Sequence, residues 1–576
     1  IEISGSRFLS PLAPGSLNRY FFLLEDTTFT NRDTVFVVSY RPGLNRNFEG
    51  LKGLLYVNTN GWALQNVIAE PAGENGNARI RIRQKYEQVD GRQWFPTQLH
   101  TDFEILNVNN LNNFRVLGHG RTYLQNILLD VPLRRRDFSP FQVEFSPETL
   151  VDDETYWERY RADTLTRRER NTYSRLDSIG RERDLDGQIG RFEALFSGAL
   201  RKGWIDVGIP ELIGYNEVEG LRLGLSLQTN RSFSSRFGFS SALAYGFRDQ
   251  RFKYGVGGHV VLDRLSDLQL GFDLKRDVEE RGGSEFLEAR SLLSPQVLRR
   301  FFLRTMDMSD RRDIWLQGRT WRNFLTVKAY AAIEKVQLMD DYRFAPSPVS
   351  GVPEPLHFFE TGARLRLAYG EKFLLTPDRI LAFSENVPVL HLNIARGWEG
   401  PFGGAFDYWR LEAMFQKTFA VRMVGNQRFT IRAGWVDGAV PWTRLFSAPA
   451  SYRLFSLSVP RSFSTMRMDE FVSDQYVALF WQHHFGNLLY RSKRFNPSLV
   501  VLTNVGFGRL NNPHHHHQVT ISSMDKGYFE SGVAFLDLMG SGFSKLGLEL
   551  MVRYGPYAKP EFKDNLSVRL AYSLLF

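Results

Sequence analysis

The chain ends on Leu566-Ser567-Val568-Arg569-Leu570-Ala571-Tyr572-Ser573-Leu574-Leu575-Phe576, a run in which apolar and polar residues alternate with one exception at Leu575. A period of two is typical of a β-strand with one apolar face and one polar face. A strand that crosses a bilayer needs about 9–11 residues, with an apolar side toward lipid and a polar side toward a lumen. Taken alone, the run fits a membrane-spanning strand or the edge strand of a soluble sandwich.

The same alternation recurs along the second part of the chain, and it decides between these alternatives. Charged residues repeatedly occupy the second face of long strands, which a soluble sandwich does not require and a polar lumen explains. The runs are Leu221–Gln228, Leu268–Lys275, Ala363–Tyr369, Trp409–Phe415, Val477–Gln482 and Leu546–Tyr554. We therefore predict a transmembrane antiparallel β-barrel with the lumen-facing residues Arg222, Arg364, Arg366, Arg410, Glu412, Glu549, Arg553 and Arg569.

Composition agrees with this fold class and excludes several others. Hydrophobic residues make up 43% of the 576 residues and mean hydropathy is −0.30, so apolar and polar residues are interleaved. No apolar run approaches the 18 residues of a transmembrane helix. The chain has no cysteine, which excludes disulfides and cysteine-based sites. The net charge of +9 is small for this length, and we expect no nucleic-acid partner.

The alternating region runs from about residue 210 to residue 576 and predicts about 16 strands, with 14 or 18 possible. A spanning strand with its share of turns takes roughly 20–25 residues, and bacterial single-chain barrels favour even numbers. An even count places both ends of the barrel on the same, periplasmic side. The long polar or proline-rich stretches predicted as external loops are Lys275–Arg290, Ala345–Pro355, Arg396–Phe406, Phe446–Glu470 and Asn511–Gln518.

Two further segments precede the barrel region. Residues 1–135 contain short strand candidates separated by turn signals such as Asn60-Gly61 and Asp90-Gly91, and they predict a small antiparallel periplasmic β-domain. Its loose likeness to lipoprotein-carrier folds implies at most a concave apolar face. Residues 136–209 predict a charged helical connector, in which Thr166 and Glu169 fit a capping box. This connector could plug the barrel, lie on the membrane surface or only link the domains.

Several short stretches together resemble one protein family. They are Phe48–Gly53, Leu55–Asn58, Trp94–Pro96, Asn216–Arg222, Phe463–Met466, Glu470–Asp474, Lys526–Gly532 and Arg553–Tyr557. The chain is similar to outer-membrane β-barrel proteins of Bacteroidota whose precursors carry a carboxypeptidase-regulatory-like domain, a domain that is not visible here. The resemblance implies export to the outer membrane and supplies no catalytic residues.

A more distant resemblance is to the insertase and two-partner-secretion barrel superfamily, which has 16 strands and periplasmic domains before the barrel. In that superfamily an arginine on a loop folded into the lumen pairs with acidic wall residues, and Arg453 is the matching lid-loop candidate here. The glycine expected after it is missing, so an ordinary external-loop arginine is the alternative. The closing strand also resembles the C-terminal assembly signal of outer-membrane barrels, carried here by Tyr572, Leu574 and Phe576.

Motifs for catalysis and cofactor binding are not found. The run His514–His517 could bind zinc or nickel, but it follows Asn511-Asn512-Pro513 in a predicted loop and has no carboxylate at a suitable spacing. The sequence has no Gly-x-Ser-x-Gly elbow and no His-Glu-x-x-His motif. We expect no enzyme activity, no cofactor and no metal.

The sequence thus predicts a non-enzymatic outer-membrane β-barrel protein that acts in outer-membrane assembly or protein translocation, as a subunit of a larger complex. Its expected partners are outer-membrane lipid and lipopolysaccharide together with outer-membrane or periplasmic proteins. One alternative is a diffusion pore or nutrient-uptake channel with a cationic, anion-favouring lumen. A third is a scaffold that holds its periplasmic domain near partners.

Overall fold

The computed structural model divides the chain into two compact units. Among the residues described, no helix has the length and hydropathy to cross a bilayer. The structure describes residues 2–3, 6–30, 33–43, 48, 50–73, 78–105, 116–134, 137–145, 157–158, 161–162, 164–182, 187, 194, 198–284, 286–287, 299–346, 352, 354–376, 380–383, 386–421, 424–452, 455–486, 497–541 and 544–574.

The first unit comprises residues 1–138 and 155–164. Its strands are β1 (Glu2–Ile3), β2 (Ser6–Arg7), β3 (Tyr20–Thr30), β4 (Asp33–Pro42), β5 (Leu51–Asn58), β6 (Ala63–Pro71), β7 (Ala78–Val89), β8 (Gln93–Ile105) and β9 (Val116–Tyr123). A short 3₁₀ turn, Ser16–Asn18, precedes β3.

Strands β3 to β9 form one antiparallel sheet in chain order. Two of its hairpins turn at the predicted places, because Gly61 and Gly91 have left-handed φ angles of 74° and 65° that favour glycine. One face of the sheet is the core: Tyr20, Tyr40 and Leu55 are buried there. The segment before β3 adds Phe8 to this cluster, so the prediction of a small antiparallel β-domain is confirmed in architecture.

The second unit comprises residues 139–154 and 165–576. Its first elements are β10 (Val143–Glu144), helix α1 (Arg167–Glu182), β11 (Ala199–Lys202), β12 (Ile205–Gly208), β13 (Ile213–Asn216), β14 (Gly220–Thr229), β15 (Phe237–Gly246), β16 (Arg251–Asp263), β17 (Leu268–Glu280), β18 (Met306–Thr320), β19 (Leu325–Gln337), β20 (Arg343–Phe344) and β21 (Leu356–Ala368).

The remaining strands of this unit are β22 (Phe373–Leu375), β23 (Ile380–Ala382), β24 (Val389–Gly397), β25 (Tyr408–Val421), β26 (Gly425–Asp437), β27 (Phe446–Ser447), β28 (Phe455–Leu457), β29 (Val472–Ser473), β30 (Gln475–Gly486), β31 (Ser498–Arg509), β32 (His516–His517), β33 (Tyr528–Ser541), β34 (Ser544–Tyr554) and β35 (Leu566–Leu574). Short 3₁₀ turns lie at Pro401–Gly403, Trp442–Arg444, Pro513–His515 and Phe562–Asn565.

Most of these strands join one large sheet whose long members pair antiparallel with their neighbours. Within the described residues the order of paired strands is β11-β12-β14-β15-β16-β17-β18-β19-β21-β24-β25-β26-β30-β31-β33-β34-β35-β28. Strands β12 and β13 both pair with β14, at opposite ends of it, and so together occupy one position. The sheet therefore begins ahead of the alternating run at Leu221 and extends back to Ala199.

Successive strands of this sheet run in opposite directions, so successive connections leave opposite ends of it. The connections that contain the five predicted external loops all leave the same end, which we call the long-loop end. One boundary was wrong: β17 continues to Glu280, so its loop begins at Arg281 instead of Lys275. The prediction rested on the local density of charged residues, but these residues stay hydrogen-bonded to β18 as part of the strand.

The segment between the predicted domains is only partly helical. Helix α1 begins with the predicted capping box: the Thr166 backbone N–H donates to Glu169 Oε2 at 2.8 Å, and the Glu169 N–H donates to Thr166 Oγ1 at 3.3 Å. Ahead of it, β10 pairs in parallel with β22, in a connection at the opposite, short-loop end of the large sheet. The proposed domain limits at residues 135/136 and 209/210 stay predictions.

Candidate functional site

All eight residues predicted to face a lumen lie on one face of the large sheet. Directly paired residues share a face: Arg364 is opposite Asn393, which is opposite Glu412, and Glu549 is opposite Arg569. Following these registers from β14 to β35 gives one continuous surface, which we call the ionic face. It carries Arg222, Arg364, Arg366, Arg410, Glu412, Glu549, Arg553 and Arg569.

The opposite surface, the apolar face, is exposed over its whole breadth. Large hydrophobic side chains alternate with the ionic-face residues in strand after strand, and many are well exposed. They include Leu221, Leu223, Leu225, Phe237, Leu243, Phe252, Val256, Leu270, Phe272, Ile314, Leu316, Leu411, Phe415, Ile431, Val477, Phe507, Leu546 and Tyr572. Exposed apolar area of this extent indicates a membrane or protein contact, because monomeric soluble proteins rarely expose patches above a few hundred Å².

Segments of the connection between β26 and β30, residues 438–474, contact the ionic face directly. The first is the turn around Arg444, whose guanidinium lies 2.5 Å from Glu334 Oε2 and 3.8 Å from Glu360 Oε2. It also donates to Tyr408 Oη at 2.9 Å and covers the ring of Phe358, with 3.8 Å between the guanidinium carbon and the ring centroid. One loop arginine thus neutralises two carboxylates on neighbouring strands.

The charges around Arg444 hold it ionised. Burial alone would lower the pKa of Arg444, but Glu334 and the other anionic neighbours outweigh burial and raise it. The same balance applies to Arg281 at the start of another long-loop-end connection, where Asp307 and Asp340 raise its pKa against the effect of burial. Both side chains therefore act as permanent cations that fasten loops to strands.

Arg281 also ties the Arg444 turn to a neighbouring loop. Its Nη2 lies 2.6 Å from Asp307 and 2.8 Å from Asp340, and its guanidinium carbon lies 4.8 Å from the Tyr342 ring centroid and 5.2 Å from that of Trp442. The Trp442 backbone N–H donates to Tyr342 Oη at 2.9 Å. Three connections of the long-loop end are joined in this way.

The later part of the same connection binds the last strands of the sheet. Glu530, which is fully buried, accepts the backbone N–H groups of Ser464 and Thr465, both at 2.8 Å, and the Thr465 hydroxyl at 2.6 Å. It also accepts Asn504 Nδ2 at 2.7 Å. Four donors on one carboxylate fix the position of this loop segment on the ionic face.

Two of the predicted lumen-facing residues hold the same segment. Glu549 accepts the hydroxyls of Ser458 at 2.5 Å and Ser464 at 2.8 Å. Arg569 donates to the carbonyl oxygens of Ser451 at 2.6 Å and Ser464 at 2.5 Å, and to Ser451 Oγ at 2.8 Å. The closing strand is thus bonded to the loop through its only charged residue.

Three more predicted residues also contact connections at the long-loop end. Arg410 donates to the Gly283 carbonyl oxygen at 2.8 Å, and Glu412 accepts the Ser284 hydroxyl at 2.6 Å. Arg553 forms an ion pair with Glu470 at 2.8 Å.

The last three predicted residues contact side chains on neighbouring strands or close to strand ends. Arg222 pairs with Asp277 at 2.5 Å and with Glu219 at 2.8 Å. Arg366 binds Glu371 at 2.7 Å, and Arg364 lies over the Tyr330 ring at 5.2 Å. Each predicted cation of the ionic face therefore has a carboxylate, a carbonyl oxygen or an aromatic ring as a neighbour.

A hydrophobic cluster from the same connections completes the long-loop end, and we call it the apolar cap. It contains Phe302, Tyr342, Phe406, Trp442, Phe463, Met466, Phe471 and Met524, all buried, together with the ends of several strands. The sequence prediction missed this arrangement because the loops were identified by their polar residues. The signal was present: Trp442, Phe446 and the aromatic and methionine residues after them are unusual in a loop exposed to water.

The loop also supplies a short strand to the edge of the sheet. Strand β28 pairs in parallel with β35, Phe455 opposite Val568 and Leu457 opposite Leu570. The Ser458 N–H adds a bond of 2.8 Å to the Leu570 carbonyl oxygen. On the far edge of β35, these are the only strand pairings among the described residues, and none joins β35 to β12, β13 or β14.

Other predicted residues fall partly outside what is described. Arg453 and Phe576 lie outside the described residues, Leu574 ends β35, and Tyr572 is exposed on the apolar face. No group of three or more His, Asp or Glu side chains among the described residues is placed to hold a metal ion.

The histidine run was predicted as an exposed loop, and His516 departs from this. Its imidazole is buried, stacks on the ring of Tyr342 and lies 2.8 Å from Tyr342 Oη.

Comparisons with known proteins give matches to two family models and low-level likenesses to solved structures. Residues 1–123 match a model described as a family of unknown function (DUF5686), and residues 348–436 match the model of the C-terminal domain of that family. Among curated proteins, none matches the chain.

Three solved structures resemble the chain at a low level. It is similar to BamA from Haemophilus ducreyi lacking POTRA domains 1–3, at 9% identity and a TM-score of 0.40, over 83% of this chain and 90% of that one. It is also similar to CdiB from Acinetobacter baumannii (11% identity, TM-score 0.34, 63% of this chain and 58% of that one) and to CdiB from Escherichia coli (12%, 0.37, 65% and 63%).

Proposed function

We propose that the large sheet closes into an outer-membrane β-barrel of 16 strands, with the apolar face toward lipid and the ionic face inside. The fifteen long strands from β14 to β35, with β12 and β13 counted together as one further position and the four-residue β11 left out, give that number. The exposed apolar face supports the membrane setting, because its burial in lipid is the ordinary solution for such a surface. In this orientation the short-loop end and the N-terminal unit face the periplasm.

The proposed function is non-enzymatic: outer-membrane assembly or protein translocation, as a subunit of a larger complex. The observation that carries it is the edge of β35. There the closing strand is covered by three residues of a parallel loop strand in place of a full antiparallel partner. A sheet edge with unpaired backbone groups is a template for another strand, which favours a protein that handles polypeptide strands over one that conducts solutes.

The pore alternative is less well supported. An anion channel needs cations that are exposed along an open path. Here the predicted arginines are paired with carboxylates, carbonyl oxygens or aromatic rings, and the apolar cap fills the long-loop end. Planar-bilayer recordings of the purified chain should therefore show no steady conductance. A stable open current that favours anions would support the pore instead.

Engineered disulfides test the edge directly, since the chain has no native cysteine. Leu457→Cys with Leu570→Cys should crosslink readily in native membranes because the two residues are paired. Tyr215→Cys with Val568→Cys joins the first and last strand positions across the proposed closure, and it should crosslink weakly. A matched pair inside the sheet, Leu548→Cys with Leu570→Cys, controls for reactivity.

Rapid, complete crosslinking of the Tyr215/Val568 pair, without crosslinking of the Leu457/Leu570 pair, would mean a tightly closed inert seam and would count against the assembly function. If the function is correct, locking the Leu457/Leu570 pair should also lower the amount of other outer-membrane proteins in the cell envelope. The Leu548/Leu570 lock should leave that amount unchanged.

A further inference from the structure

A groove of about 530 Å³ crosses the middle of the N-terminal sheet, on the face opposite its core. Four strands line it, β4 to β7, and their registers arrange the side chains in rows. One row runs Ser39, Leu54, Ile68 and Arg83, each opposite the next. Its centre is apolar, which is unusual for the solvent-facing side of such a sheet.

The adjacent row is cationic. Across β4 to β7 the row runs Arg41, Lys52, Glu70 and Arg81, so Lys52 lies between Arg41 and Glu70. With Arg83, the groove holds four basic side chains and one acidic side chain. Two of these cations have carboxylate partners: Arg81 bonds to Glu70, and Arg83 bonds to Asp102.

Lys52 and Arg41, the other two cations of the groove, are the ones that could bind an anion. Within the described residues, neither Lys52 nor Arg41 has a carboxylate within ion-pair distance. Arg41 lies over the Phe21 ring, with 5.3 Å between its guanidinium carbon and the ring centroid. Phe21 and Leu23 are both about half exposed, and they extend the apolar surface along β3 beside Arg41. An uncompensated cation pair therefore borders an apolar strip.

Strand β5 carries a glycine between two of the groove residues. Gly53 sits between Lys52 and Leu54 with a φ of 157°, and a Cβ there would come within 1.9 Å of the Ile68 carbonyl oxygen. This position of β5, between two groove residues, therefore requires glycine.

We propose that this groove binds an anionic phospholipid, with the phosphate headgroup on Lys52 and Arg41 and the start of an acyl chain along Leu54 and Ile68. The charge of the cationic row selects an anion, and the apolar row beside it selects an amphiphile over a free ion. A groove of this volume holds a headgroup with a few methylene groups. The site lies within the N-terminal unit and does not depend on closure of the large sheet.

The test uses the full chain in a neutral maltoside detergent and dihexanoyl phosphatidylglycerol as the probe, with bound lipid counted by native mass spectrometry over a titration. We expect one saturable site that is lost for dihexanoyl phosphatidylcholine. The double variant Lys52→Glu/Arg41→Glu should weaken binding at least tenfold. The control Lys85→Glu reverses one cation on the same sheet face outside the groove, and it should change binding less than twofold.

Competition identifies the ligand class. Glycerol phosphate should bind at least tenfold more weakly than the dihexanoyl lipid, because it lacks the acyl chain. Equal binding of glycerol phosphate or inorganic phosphate would overturn the lipid assignment in favour of a simple anion site. Displacement of the lipid by hexaglutamate at equal concentration would overturn it in favour of an acidic peptide. Equal loss in the groove variant and the Lys85→Glu control, or no saturable binding at all, would also refute the proposal.

Discussion

Replacing Arg444 by alanine should release the turn of residues 438–447 from the ionic face. The change removes the guanidinium that lies 2.5 Å from Glu334 and 3.8 Å from Glu360, both buried. Removing one partner of a buried ion pair typically costs about 3–5 kcal/mol, because the other charge stays buried without compensation.

We expect a destabilisation at the lower end of this range, because both carboxylates keep other partners. Glu334 keeps the Ser309 hydroxyl at 2.7 Å and Arg311 at 3.4 Å, and Glu360 keeps the hydroxyls of Tyr330 and Tyr408. A cost of about 3 kcal/mol corresponds to roughly a hundredfold increase in the open population of the turn, at about 1.4 kcal/mol per factor of ten.

Amide hydrogen exchange of the detergent-solubilised chain measures that population. Protection in residues 438–447 should fall by about a hundredfold in Arg444→Ala, whereas the hairpins at the short-loop end should stay unchanged. Arg304→Ala is the matched control, since Arg304 forms a surface pair with Glu217 at 3.4 Å that is worth about 0–1 kcal/mol.

The double change Arg444→Met/Glu334→Gln should restore much of the protection, because replacing both members of a buried pair is far less costly than removing one. Protection in Arg444→Ala within threefold of the wild type would refute the reasoning. So would an effect no larger than that of Arg304→Ala.

Two smaller predictions concern other segments. Burial lowers the pKa of His516 to about 4, so its contribution to stability is complete above the unperturbed value of 6.5 and is lost as the pH falls from there toward 4. At pH 5.5 the loss of stability is about 1.4 kcal/mol, so hydrogen-exchange protection of residues 516–527, corrected for intrinsic rates, should fall about tenfold between pH 8 and pH 5.5. Replacing His516 by Phe should abolish this fall. Thr166→Ala removes the hydroxyl that caps α1 and should destabilise that helix by about 1 kcal/mol, seen as faster exchange at residues 169–172, whereas Thr166→Ser should not.

Local patterns in the sequence predicted the strands and the faces well. The alternating run Leu546–Tyr554 lies within β34, and the run from Leu566 forms β35 up to Leu574. Period-two alternation is a local property, and a single register then fixes which residues share a face. This is why the predicted charged residues all fall on one surface without any knowledge of their partners.

The contacts that satisfy those charges could not be predicted in the same way. Arg444 meets Glu334 across 110 residues of chain, and Arg569 meets Ser451 across 118. The sequence around either residue does not indicate which distant residue it contacts. The error about the loops had a different cause, since polar residues suggested exposure while the apolar residues between them, such as Trp442 and Phe463, are what the fold buries.

The connection between β26 and β30 also constrains the order in which the molecule can fold. Hairpins join neighbours in sequence and can form early, but Glu530, Glu549 and Arg569 obtain their loop partners only when residues 451–465 have entered between strands made before and after them. Contacts of such high sequence separation form slowly. Insertion of this segment should therefore be the last and rate-limiting event of maturation, and chains stalled before it would leave Glu530, Glu549 and Arg569 hydrated and without their loop partners.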